Sequence, residues 1–238
     1  MDLNYSHTLN PSFEINHWWM RSRYRLIDQA IEKITRPSFS VLEIGAGTGI
    51  NLRYLREHYG SRILRMVGTD PAATEKTATE LSVQKEWPID RFDLILLLDV
   101  LEHCPDPISL LRDLRSRLAE GGYLLVTVPA FQALWSRYDE LAHHVKRYSF
   151  KMLTRELNAG GWHIESQFFL FALLFPLFAA QRIFVRLGLT NPQLFKPVPA
   201  VINHVLYFLT RLEMLLFMRG NRWVGSSIIA FASRATHE

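Results

Sequence analysis

Val41-Leu42-Glu43-Ile44-Gly45-Ala46-Gly47-Thr48-Gly49 is the stretch whose reading decides the fold. An apolar run with strand character passes straight into three glycines at alternate positions, and the helix-forming Ile50-Asn51-Leu52 follows. Glycine is needed where the main chain turns with positive φ, and where a ligand must approach it with no Cβ in the way. Twenty-one residues after Gly49, Asp70 ends the next strand, Val67-Gly68-Thr69-Asp70. A carboxylate at that place can accept hydrogen bonds from both hydroxyls of a ribose. Glycine turn and acid together read as a site for a nucleoside-bearing cofactor.

Outward from this stretch, strands and helices alternate. Residues 13–35 read as a helix, with Trp18, Leu26, Ile27, Ile31 and Ile34 near helical spacing and Pro37 closing it. Strand Ser40–Ile44 leads through the glycine turn to a helix over Ile50–His58. A strand over Leu64–Thr69, a polar helix near Ala72–Glu80, a strand over Phe92–Leu98 and a helix over Ile108–Leu118 come next. The Gly121-Gly122 turn precedes a strand over Tyr123–Val128. Ile95–Leu98 and Leu124–Val128 are continuous apolar runs, as strands covered on both faces require. This alternation predicts an α/β fold around a parallel sheet. Further on, Lys151–Asn158 reads as a helix, His163–Phe171 and Ser227–Ser233 as strands, and Ala200–Met218 as an apolar helix.

The chain has 238 residues, 48% hydrophobic and 21% charged, which excludes disordered, collagen-like and low-complexity classes. Cys104 is its one cysteine, so a disulfide-stapled secreted scaffold is excluded. No basic start followed by an apolar run stands near Met1, and a cytoplasmic protein is expected. The net charge of +4 resides in residues 160–238, which also hold ten of the fifteen Phe. These aromatics form apolar runs such as Phe168-Phe169-Leu170-Phe171 and are not interleaved with Lys or Arg. That favours a greasy acceptor or an anionic lipid surface over nucleic acid. The uncharged stretch Phe168–Ala180 is shorter than the ~20 residues a spanning helix needs. It reads either as part of a buried helix pair or as an interfacial hairpin, and the second is expected, peripheral at the inner face of the membrane.

The glycine loop also narrows the cofactor. A dinucleotide site favours Gly-x-Gly-x-x-Gly, with pyrophosphate on the helix N-terminus. Here the third glycine comes one residue early and Glu43 stands beside the loop. An acid there repels pyrophosphate and suits a ligand carrying an ammonium and a sulfonium, as S-adenosylmethionine does. The sequence resembles the class I S-adenosylmethionine-dependent methyltransferases in this loop and Asp70. The match continues in Arg91-Phe92-Asp93-Leu94-Ile95-Leu96-Leu97-Leu98-Asp99-Val100-Leu101-Glu102-His103 and in Gly121-Gly122-Tyr123-Leu124-Leu125-Val126-Thr127-Val128-Pro129. It is tight over about 38–130 and looser elsewhere. The resemblance implies a Rossmann-like, seven-stranded, mostly parallel sheet with helices on both faces. It also implies a single methyltransferase domain over 1–238, with a helical lid over 1–37 and an apolar helical insertion over 172–224 before the last strand.

Two further stretches resemble a subgroup of these enzymes that acts in lipid, polyketide or cell-surface glycan pathways. One is His17-Trp18-Trp19 with Arg21 and Arg23, and the other runs from Leu134 to Tyr148. The subgroup commonly reads His-Asp-Glu-x-x-Gly-His-x-Arg-Arg-Tyr in the second. Here Tyr138 replaces the first His and His143 the Gly, while Asp139, His144, Arg147 and Tyr148 match.

The resemblance implies cofactor contacts at Glu43, Gly45, Ala46, Gly47, Gly49 and Asp70. Pro71, Asp99, Val100, Trp19 and Arg23 complete the set, with Arg21 or Arg23 meeting the methionine carboxylate. Main chain near Leu81–Val83 is expected to hold the adenine. Methyl transfer to oxygen needs a proton removed, and histidine titrates nearest neutrality. His144, five residues after Asp139, is the expected base, and His103 is a further catalytic candidate. Asp99, Glu102 and His103 at spacings three and four could share a helical face and hold a divalent cation, but no metal is assigned. The expected function is O-methylation of a hydrophobic or carrier-linked small molecule, with no nucleic acid partner. A non-catalytic partner of a membrane enzyme that binds the cofactor, or an RNA methyltransferase, is the alternative.

Overall fold

The computed structural model describes residues 15–74, 82–191, 198–217 and 220–235. Seven strands form one sheet: β1 (Phe39–Ile44), β2 (Ile63–Thr69), β3 (Val83–Gln84), β4 (Phe92–Leu98), β5 (Leu118–Pro129), β6 (Trp162–Leu170) and β7 (Ser227–Arg234). Their order is β3-β2-β1-β4-β5-β7-β6, parallel up to β5, with β7 antiparallel to both its neighbours. The expected mostly parallel, seven-stranded sheet is therefore present. β4 is buried at every position, so it reads as an unbroken apolar run. Its one acid, Asp93, is tied by Arg36 at 2.7 Å and by the Ser40 amide and hydroxyl at 2.8 Å.

Helices cover both faces. α1 (Trp18–Glu32) and α2 (Ile50–Tyr59) seat Ile27, Ile31, Leu52 and Leu55 on one side, against Leu94 and Leu96. α3 (Pro107–Ser116) and α5 (Phe150–Ala159) seat Leu111, Leu114, Leu153 and Leu157 on the other, against Ile95 and Leu97. Between these last two lies the short α4 (Arg137–Leu141), opened by a capping box of Ser136 and Asp139.

Several boundaries differ from the sequence reading. The Gly121-Gly122 pair is not a turn before β5 but lies inside it, where the register with β4 shifts between Phe92 and Leu94. Gly121 takes φ +70°, and a Cβ on Gly122 would come within 2.9 Å of the Asp93 carbonyl. Glycine thus allows a bulge where alternation alone predicts a chain reversal. Asp99 also leaves the helical face expected of it: it has φ +56°, and only Leu101–His103 forms a short 3-10 turn. Most of the polar helix near Ala72–Glu80 lies outside the described residues, as does Leu81.

The apolar insertion before β7 contains α6 (Phe175–Arg186) and α7 (Ala200–Phe217). Glu213 of α7 accepts from the amides of Ala172 and Leu173 at 2.8 and 3.0 Å, which pins α7 to the start of the insertion. Trp18 of α1 packs on Phe171 and Phe178. Among the described residues no helix is long and apolar enough to cross a membrane.

Candidate active site

A cavity of about 700 Å³ opens above the C-terminal ends of β1, β4 and β5. This is where open α/β sheets bind ligands. One end is the glycine loop. Gly45, Gly47 and Gly49 all take positive φ, and Gly49 caps α2. The amides of Gly45 and Ala46 both donate to the Thr69 carbonyl, and the Gly47 amide donates to Asp70 at 2.9 Å. A Cβ on Gly45 would lie 2.7 Å from Cγ2 of Val100, whereas one on Gly47 would meet nothing within 4 Å. The loop is therefore packed tightly behind and bare in front, a cradle of main chain facing open space.

The expected residues do not all line this cavity. Gly45, Ala46, Gly47, Asp99, Trp19, Arg23, His103 and His144 do. Glu43 sits one layer back, 1% exposed, and accepts from Nδ2 of Asn51 at 2.6 Å. Asn51 reaches the cavity in its place, with its Oδ1 buried and unpartnered. Asp70 buttresses the loop, its second oxygen accepting from the Ala72 amide at 2.9 Å. Gly49, Pro71, Val100 and Asp139 do not line the cavity either, and Pro71 is exposed to solvent. Arg23 ion-pairs with Asp99 and lies over the Trp19 ring, while Arg21 turns away onto Tyr207. Thr127 donates to the other Asp99 oxygen at 3.0 Å.

Burial pushes the Glu43 carboxyl up to about 7, against the hydrogen bond from Asn51 and the charge of Arg23. The folded state then holds a proton that the unfolded chain gives up near its ordinary value of 4.5. The stability this contributes is present below that value and lost as pH rises through about 7. A shift of that size corresponds to about 3 kcal/mol. Denaturant titrations at about pH 5 and about pH 8 should show that loss in the wild type and little of it in Glu43→Gln. Equal pH slopes for the two proteins would remove the assignment.

The other end of the cavity is a polar corner. Asp139, fully buried, accepts from Nδ1 of His144 at 3.0 Å, from Arg147 at 2.8 Å and from Arg182 at 3.2 Å. Burial pushes its carboxyl up, but the His144 hydrogen bond and the charges of Arg147 and Arg182 outweigh this and hold it at about 2. Opposite, Glu102 is 1% exposed with both oxygens unpartnered. Burial and the nearby Asp99 carboxylate raise it well above the ordinary range. His103 is driven down to about 4, chiefly by burial, and is neutral at neutral pH. His103 and His144 meet edge to face with ring centroids 4.8 Å apart. The dyad expected from the spacing of Asp139 and His144 is thus formed, with His103 beside it. Glu102 and His144 come together across 42 positions, whereas Asp99 is turned to Arg23 and Thr127. Sequence reading did not find Asn51 or Arg182, because neither stands in a motif.

Between the ends runs an apolar wall of Trp18, Phe171, Leu177, Phe178, Phe184 and Leu206. The cradle at Gly45–Gly47, the bare Oδ1 of Asn51 and the Arg23–Asp99 pair fit an adenosine and amino-acid moiety, and the wall remains for a second reactant.

A family model described as a methyltransferase domain matches residues 16–167. No functionally curated protein matches the sequence. Among solved structures, the fold is similar to a chain of the complex between the Haloferax volcanii Trm112 methyltransferase activator and a methyltransferase, at 17% identity and TM-score 0.54, over 94% of this chain and 97% of that one. Coclaurine N-methyltransferase bound to N-methylheliamine and SAH is similar at 14% identity and TM-score 0.55, over 90% of this chain and 70% of that one. The [4+2]-cyclase SpnF is similar at 20% identity and TM-score 0.55, over 92% of this chain and 83% of that one. At such identities these likenesses show the fold, while the family model spans more than half of the chain. This chain belongs to the methyltransferase-domain family, whose methyl donor is S-adenosylmethionine.

Proposed function

We propose that the protein methylates a hydroxyl or carboxylate oxygen on a hydrophobic or carrier-linked acceptor, such as a lipid, polyketide or glycan-lipid precursor. The observation that carries this reading is one continuous cavity joining the glycine loop to His144 along an apolar wall. Gly45, Ala46 and Gly47 would face the adenosine, with Asp70 at the ribose. Arg23 would meet the methionine carboxylate, and Asp99 and Asn51 its ammonium. Bound there, S-adenosylmethionine supplies an electrophilic methyl group on a sulfonium. Trp18 and Trp19 shut water out of that region. The apolar wall holds the acceptor's body so that its oxygen meets Nε2 of His144. Asp139 holds the His144 ring through Nδ1, and Nε2 would take the proton of a hydroxyl acceptor as its oxygen gained the methyl group and the methyl–sulfur bond broke to leave the neutral thioether SAH. Positioning supplies most of the rate enhancement.

The same helices point to a membrane surface. Ile183 on α6, and Val205, Phe208 and Leu215 on α7, are exposed, with Arg186 and Arg211 beside them. Apolar side chains edged by cations suit the interface of an anionic leaflet. An amphiphilic acceptor could pass from there into the cavity between α6 and α7. The expected seat is therefore the cytoplasmic face of a membrane.

Purified protein should bind SAH in a calorimeter and transfer labelled methyl groups to a detergent-dispersed lipid extract. SAH binding with no transfer to lipid, polyketide or glycan-lipid fractions would overturn the acceptor class, and labelling of RNA would replace it.

A further inference from the structure

We infer that Glu102, His103 and His144 form a binding site for one divalent transition-metal ion of the zinc class at the acceptor end of the cavity. The inference goes beyond the reading above, whose base at Nε2 of His144 belongs to the ion-free protein, and rests on it only in placing the acceptor at this end. One donor atom from each residue lies within 4.8 Å of the other two. Nε2 of His144 is already 4.0 Å from Oε1 of Glu102.

Two further observations raise this above proximity. Both imidazoles are anchored through Nδ1: His144 donates to the Asp139 carboxylate at 3.0 Å, and His103 to the main-chain carbonyl of His143 at 3.2 Å. An imidazole that donates from Nδ1 carries its lone pair on Nε2, and histidines that bind metals are oriented and made more basic in this way. Glu102 is the second observation. It is almost wholly buried, lines the cavity, and has no hydrogen-bond partner on either oxygen. A buried carboxylate without a partner is costly, and a cation between it and the two imidazoles removes that cost.

Two imidazoles and one carboxylate are a donor set of open zinc sites, which keep a fourth position for water or a reactant. Bonds of about 2.0–2.2 Å require side-chain rotations that draw the three groups inward. Asp99, which spacing grouped with Glu102 and His103, is excluded as a ligand because Arg23 and Thr127 engage its carboxylate. The fourth position faces the acceptor's place, where an ion would lower the proton affinity of a bound oxygen. Nε2 of His144 cannot hold an ion and take a proton together, so the loaded and ion-free proteins handle the acceptor's proton differently.

The test is a titration of metal-stripped full-length protein with Co²⁺ and then Zn²⁺. One Co²⁺ per chain is expected, with the visible d–d absorption of tetrahedral cobalt, displaced stoichiometrically by Zn²⁺. Glu102→Gln and His103→Ala should each weaken binding by about tenfold or more. SAH affinity, read on the ion-free variants, reports that they are folded. A cobalt spectrum that stays octahedral without saturation overturns the site, as does binding that both variants leave intact. Should a variant not fold, the wild-type cobalt spectrum decides alone. Loss of SAH binding by the ion-free wild type would count instead against the methyl-transfer reading.

Discussion

Alanine in place of Asp139 is expected to lower stability by about 3–5 kcal/mol near neutral pH, because it strands charges that this carboxylate pairs in the interior. Asp139 is fully buried, Arg147 is 3% exposed, and Arg182 and His144 are largely covered. The guanidiniums cannot lose their protons, so they would remain charged without a partner. The capping interaction with the Ser136 amide, at 3.0 Å, is lost as well. Since the folded carboxyl titrates at about 2, below its ordinary 3.8, its contribution is complete above the latter value. It is lost as pH falls through the former. Asp139→Asn keeps the shape, removes the charge and should recover only part of the loss. Denaturant midpoints measure this, and a deficit under about 1 kcal/mol in the alanine variant would show that the corner does not depend on this carboxylate.

His144→Ala, assayed on ion-stripped enzyme, is expected to lower kcat by roughly a hundred- to ten-thousandfold, the usual contribution of a positioned base. SAH affinity should be unchanged, because the glycine loop lies at the other end of the cavity. The two readouts separate a lost base from a lost fold. An undiminished kcat would move the proton elsewhere in the corner. A parallel fall in SAH affinity would make His144 a packing residue.

Much of the fold was legible in local pattern. Strand-glycine-helix at Val41–Ile50, the apolar run at β4 and the alternation of elements each follow from backbone sterics and burial, which act within a few residues. Even the Asp139–His144 pair could be anticipated, since only five positions separate the two, from α4 to the turn after it. The Gly121-Gly122 bulge was not, because a glycine pair marks a reversal and an irregular strand equally well until the β4 partner is known. Nor was the position of Glu43 behind Asn51: helical spacing tells which face Asn51 shares, not which of two facing polar groups reaches the cavity.

From the residues alone came the sheet, the glycine cradle and the acid after β2, and the family resemblance added the methyl donor. These depend on neighbours in the chain, where spacing determines geometry. Only tertiary structure brought Glu102 against His144, swung Arg182 from the insertion onto Asp139, and gave Asp99 to Arg23. Each of those contacts joins elements many residues apart, so packing of α4, α6 and α1 over the sheet, and no local rule, settled which charges meet.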